Sequence, residues 1–173
     1  MNGMKAITPD EIRENLFTAV NDDWMLITAV NAAEDINTMT ASWGGFGILW
    51  GRPVCVCVIR PQRYTYGFVE EAERLTLTFL KPGHRDALTL CGTKSGRDGD
   101  KIKAAGLHPV RWEDMASFSE ARLVVCGRKL YASDIKEENF IDRSLIESKY
   151  PHRDFHRAYI CEIEAVYTAE EQH

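Results

Sequence analysis

The spacing of apolar residues along the chain changes period several times, and each change marks an element. Thr8-Pro9-Asp10-Glu11 supplies a cap hydroxyl, a proline for the first helical position and a glutamate three residues after the cap. Ile12, Leu16, Phe17 and Val20 follow at helical spacing, which predicts a first helix running to about Val20. Residues 24–30 are apolar but for Thr28 and read as a buried strand, 31–35 make a polar turn, and 36–43 return as a second strand, a pattern that predicts a hairpin. Further strands are predicted at 54–59 (VCVCVI), at 75–80 with its Leu/Thr alternation, at 122–131 and at 157–168. Short helices fit 64–72, 84–91 and 101–105, the last closed by Gly106. Residues 107–119 read as irregular, and 134–151 carry mixed charge with no period.

One helix followed mostly by strands predicts an α+β or barrel architecture rather than a parallel sheet with repeated crossovers. No repeat or linker divides the 173 residues, so the expectation is one domain over 1–173. The composition, 45% hydrophobic and 27% charged, is that of a globular chain. A net charge of −5 argues against nucleic acid as the main partner. No apolar run approaches the roughly 18 residues of a membrane span, and the first residues lack the apolar core of a signal peptide, so a cytoplasmic location is expected. Five cysteines without a C-x-x-C pair read as buried, reduced thiols.

The chemistry concentrates in three places. In Asn37-Thr38-Met39-Thr40-Ala41-Ser42-Trp43 the hydroxyls of Thr38, Thr40 and Ser42 alternate, so one strand face presents all three. Gly44, Gly45 and Gly47 follow as a glycine-rich turn whose backbone could approach a flat ligand. Taken alone, the segment also fits a Thr-rich edge strand with an ordinary turn. Next, Arg60 and Arg63 flank Pro61, and with Tyr64 and Thr65 they could converge on a phosphate, or stand as solvated surface. Last, the loop of Ser95, Gly96, Arg97 and Lys101 could add to that site, although by composition such loops are mostly surface connections. His152 and His156, four apart, do not complete a zinc site, and no metal is expected. No nucleophile elbow, P-loop, metalloprotease helix or dinucleotide fingerprint is present, so an enzyme built on this chain would need a cofactor carrying its own chemistry.

The runs NTMTASW (37–43), RPQRYT (60–65), SGRDGDK (95–101) and EARLVVC (120–126), with a looser match at HRAYICEI (156–163), resemble the flavin reductase-like proteins in motif order over most of the chain. The resemblance implies a six-stranded antiparallel split β-barrel binding FMN. Asn37, Thr38, Met39, Thr40, Ala41, Ser42 and Trp43 would lie at the flavin, and Arg60, Arg63, Tyr64 and Thr65 at its phosphate. Ser95 and Lys101 would lie close by. His156 matches a histidine that in some members faces the nicotinamide side; here Phe155 precedes it where an acidic residue is often found, and packing or a dimer contact is the alternative role. The implied activity is an NAD(P)H-dependent flavin reductase, with NADH or NADPH as donor. The alternative is a non-enzymatic FMN electron carrier serving a redox protein partner. The family also implies a homodimer, for which Trp43, Phe46, Ile48, Leu49 and Trp50 supply apolar surface.

Overall fold

In the computed structural model, residues 3–170 are described; the other ends of the 1–173 unit lie outside the described residues. Ten strands form: β1 (Met4–Ile7), β2 (Met25–Val30), β3 (Ile36–Ala41), β4 (Gly44–Leu49), β5 (Arg52–Ile59), β6 (Arg74–Leu80), β7 (Pro109–Trp112), β8 (Met115–Phe118), β9 (Ala121–Asp134) and β10 (Arg157–Ala169). The helices are α1 (Leu16–Thr18), α2 (Tyr64–Glu71), α3 (Arg85–Thr93), α4 (Lys101–Ala104) and α5 (Ser144–Lys149). The main sheet is antiparallel in the order β3-β2-β6-β9-β10-β5-β4, with β1 added along the end of β10. This is the split-barrel arrangement. It has eight strands where six were expected, because β1 and β4 both extend it.

Alternation explains the layers. Leu75, Leu77 and Phe79 of β6 meet Ile27, Met39, Cys55, Cys57, Ile59, Leu123 and Tyr159 in the interior cluster. The intervening Thr76 and Thr78 face the other way, yet they are also buried, under β8. There Thr76 donates to the Ala116 carbonyl at 2.6 Å, and the Thr78 and Ser117 hydroxyls pair at 2.7 Å. The 107–119 stretch, read as irregular, therefore folds as a hairpin that covers polar positions of the sheet. Leu26, Leu88, Cys91, Ile102 and Phe118 build a second cluster beneath α3 and α4. All five cysteines are free and buried, as expected.

The predicted first helix breaks into three pieces. Glu11 accepts from the Thr8 backbone at 2.7 Å and closes one 3-10 turn over Pro9–Glu11. The chain then turns extended at Ile12, and Asn15 caps a new start by accepting from Phe17 and Thr18. A π turn, Ala19–Asp23, follows and ends at Trp24, whose φ is 67°. Arg122 holds this segment at both ends, through Glu14 at 2.9 Å and Asp23 at 2.8 Å. The expected glycine-rich turn is instead the edge strand β4, joined to β5 by a two-residue turn at Trp50 (φ 53°) and Gly51 (φ 70°). Positive φ at both turn residues matches the twist of a hairpin. Within 134–151, where no period was visible, α5 forms.

Candidate functional site

A cavity of about 260 Å³ opens where the end of β3, the end of β5 and the start of β10 meet. Met39 to Trp43 line it on one side, and Val58, Arg60, Arg63 and His156 on the other. Seven of the residues singled out in the sequence as candidate ligands, with His156, thus share one space.

Thr38 and Thr40 lie on one face of β3 but in different layers, and Ser42 falls beyond the end of the strand. Thr38 is fully buried, donates to the Ile27 carbonyl at 3.1 Å and pairs with Thr28 at 2.8 Å. Its place is in the packing between β2 and β3, away from the cavity. Thr40 reaches the cavity wall and donates to the Leu88 carbonyl at 2.5 Å, which ties β3 to α3. Ser42 stands in the short link to β4, half-buried. Asn37 and Thr65, both buried, bond each other at 2.9 Å and so clamp β3 to α2. Gly96 presses on that clamp: a Cβ there would sit 2.7 Å from the Asn37 Oδ1 and 2.8 Å from the Tyr64 ring. Arg97 covers the other part of the Tyr64 ring at 4.8 Å, and Ser95 accepts from the Arg97 backbone at 3.2 Å. Asn37, Tyr64, Thr65 and Ser95 thus form the frame behind the cavity rather than its lining.

The cations differ in how they are matched. Arg60 is ion-paired with Asp154, donates to the Lys149 carbonyl at 3.0 Å and lies over Tyr150 at 5.3 Å. Arg63 has no carboxylate partner among the described residues; it donates to the Gly92 carbonyl at 2.7 Å and the Cys91 carbonyl at 3.3 Å. Lys101 stands behind it, 5% exposed, and reaches the Cys91 and Lys94 carbonyls at 3.4 and 3.3 Å. These carbonyls end α3, where helix dipoles favour cations. About half an elementary charge at a helix end balances only part of two cations. Burial, helped by the Arg63 charge, pushes the Lys101 ammonium down to about 8, and burial lowers Arg63 as well. The cavity wall is therefore electropositive and lacks an anion.

His156 is 9% exposed, packs tilted against Trp43 with ring centroids 5.1 Å apart and shares a 3.0 Å hydrogen bond with the Tyr150 hydroxyl. Burial and the Arg60 charge push it down to about 4, so its ring is neutral near pH 7. Trp43 is also edge-on to Tyr150 at 6.3 Å, so the aromatic wall is one packed unit. Sequence reasoning missed Tyr150, Asp154 and Val58. Asp154 could have been found as the one acid within the basic run His152, Arg153, His156, Arg157.

No curated protein matches the chain. Among solved structures, the FMN-binding domain of a flavin reductases-like enzyme from Shewanella baltica superposes with a TM-score of 0.67 at 14% identity, covering 96% of this chain and 77% of that one. Flavoredoxin of Desulfovibrio vulgaris gives 0.66 at 21% identity, covering 85% and 69%. Nitrilotriacetate monooxygenase component B from Bacillus cereus gives 0.66 at 15%, covering 98% and 84%. These likenesses establish the fold. The model of the flavin reductase like domain matches residues 19–173, a span from the turn before β2 through β10, and on that match the chain belongs to the flavin reductase like domain family.

Proposed function

We propose that this chain binds FMN and works as an NAD(P)H-dependent flavin reductase. The observation that carries the reading is the pair Arg63 and Lys101, two largely buried cations with no carboxylate partner among the described residues, beside a cavity lined also by Met39 to Trp43, Val58, Arg60 and His156. A phosphate monoester is the anion that such a wall lacks, and a flat ring is what the Thr40–Trp43 side accommodates. Arg63 would hold the phosphate directly and Lys101 would add charge from behind, with Thr40, Ala41, Ser42 and Trp43 against the ring. Met39, Asn37, Thr65, Tyr64 and Ser95 would fix the frame, while Thr38 would keep β3 in register. Arg60, already paired with Asp154, would contribute less than Arg63.

Bound FMN supplies reversible two-electron chemistry, taking electrons from a nicotinamide and giving them to an acceptor. The protein's part is to hold, orient and dry the site, and no side-chain nucleophile is needed. Neutral His156, fixed by Tyr150, would keep Trp43 in place and add no charge at the ring. A second reading, an FMN electron carrier with a protein partner, is supported by the flavoredoxin likeness, which equals the monooxygenase-component likeness in TM-score.

The test is an absorption spectrum of the purified protein with FMN, followed anaerobically on addition of NADH and then NADPH. Rapid bleaching of bound flavin by either nucleotide is expected. Bound flavin that stays oxidised would move the assignment to the carrier, and absence of binding would overturn both.

The proposal includes a homodimer. It is supported by β4 lying at the end of the sheet order, by the exposed Ile48 (73%) and Trp50 (58%) at its tip, and by Tyr131, which packs on Trp50 at 6.4 Å. An unpaired strand edge with apolar side chains favours association. Sedimentation is expected to give a dimer, and Ile48→Lys with Trp50→Lys a monomer; a monomeric parent would refute it. Buried free thiols support a reducing compartment such as the cytoplasm.

A further inference from the structure

A second cavity, about 470 Å³, lies on the other side of the Ser42–Trp43 link. One wall is Leu16, Phe17, Val20 and Asn21, and the other is the strand from Ser42 to Phe46. We propose that this pocket binds a neutral, planar aromatic compound, a ligand distinct from FMN. Its biological use as a substrate pocket beside the flavin rests on the reading above; the binding itself does not.

Four observations lead there. The volume falls in the range of small-molecule sites, about 300–1,000 Å³. No lining residue is charged, whereas the neighbouring cavity carries two arginines. A phosphate or carboxylate placed here would lose hydration without meeting a cation, which disfavours FMN's phosphate and the diphosphate of a nicotinamide dinucleotide. Two aromatic side chains stand exposed at the pocket, Phe17 at 89% and Trp43 at 39%, while Gly44 and Gly45 bring no side chain to fill the space. Stacking against such rings favours a flat ligand. Asn21 and Ser42 supply the few polar groups that fix orientation.

The wall is also held in place before any ligand arrives. Arg122 pins Glu14 and Asp23 on either side of it. Arg85 donates to the Asp22 carbonyl at 2.5 Å and lies over the Trp24 ring at 4.0 Å. A pocket fixed this way binds without first ordering its own walls. Because Ser42 and Trp43 line both cavities, a ring in this pocket would lie across one short link from the site proposed for flavin.

The experiment titrates 2-naphthamide, and separately 2-naphthoate, into the full chain with and without FMN, following backbone amide shifts by NMR. Saturable shifts at Val20, Gly44 and Gly45 are expected with the amide, and binding of the carboxylate is expected to be weaker by about tenfold or more. Phe17→Ala should weaken naphthamide about fivefold or more, and Phe17→Tyr should restore it. Phe17 is exposed, so neither variant threatens the fold. Equal binding of carboxylate and amide, shifts elsewhere, or an unchanged Phe17→Ala variant would overturn the proposal. Shifts seen in the Ile48→Lys, Trp50→Lys monomer but absent in a dimeric parent would assign the groove to a second copy and overturn the proposal. Naphthamide binding without FMN binding would sink the flavin reading and leave this one standing.

Discussion

Arg63→Ala is expected to weaken FMN by about 10- to 100-fold and to leave riboflavin unchanged, because a hydrogen bond to a charged group contributes about 1.5–3 kcal/mol and riboflavin has no phosphate. Arg63 lines the cavity and is bound only by backbone carbonyls, so its charge is available to a ligand. Arg60→Ala should show a smaller FMN-over-riboflavin difference, since its guanidinium already serves Asp154. Isothermal titration of the two flavins against both variants decides the matter. Equal losses for FMN and riboflavin in Arg63→Ala would remove the phosphate from this wall.

Lys101 adds a pH signature to the same measurement. Its folded value of about 8 lies below the ordinary 10.5, so the unfolded chain holds more protons between those limits. Stability of the flavin-free protein therefore rises with pH across that window, and at pH 7 the buried charge is unfavourable by up to about 3 kcal/mol. Lys101→Met should raise the melting temperature of the flavin-free protein while lowering its FMN affinity. In the parent, FMN affinity should fall above about pH 8 as the ammonium loses its proton, and that fall should be absent in the variant. A merely structural lysine would move stability and leave FMN affinity flat.

What could be read from the sequence follows the reach of its signals. The β2–β3 hairpin, the VCVCVI strand and the Leu/Thr alternation of β6 were legible because each is decided by which face its own side chains bury. The first helix was misread because a cap at Thr8 specifies one turn only; the chain beyond it restarts at the Asn15 cap and is held by Arg122, more than a hundred residues away. Strand β4 was hidden because glycine weakens strand propensity, while its pairing partner β5 and the Trp50-Gly51 turn hold it extended. For the site, alternation placed Thr38, Thr40 and Ser42 on one face, but not which of them the α3 layer leaves open. The grouping of Arg63 with Lys101 came only through the family resemblance, since α3 and its loop bring together positions that no local pattern links. Tyr150 and Asp154 come from the long excursion between β9 and β10, whose packing no period announces.

That excursion yields the other large expected effect, on acid stability. His156 sits at about 4 against its ordinary 6.5, so between these values the unfolded chain binds the proton that the folded chain refuses. Stability must then fall as pH drops through this window and level off below about pH 4. The full loss is up to about 3 kcal/mol for a ring only 9% exposed. Asp154 opposes this shift, but it is already paired with Arg60, whose charge acts the other way. Urea unfolding at pH 7 and pH 4 measures the difference, and His156→Gln, which cannot take up the proton, should remove this component of it. The same variant should loosen Trp43, which packs on the imidazole, and change its fluorescence at neutral pH. An acid slope that survives unchanged in His156→Gln would place the titrating group elsewhere.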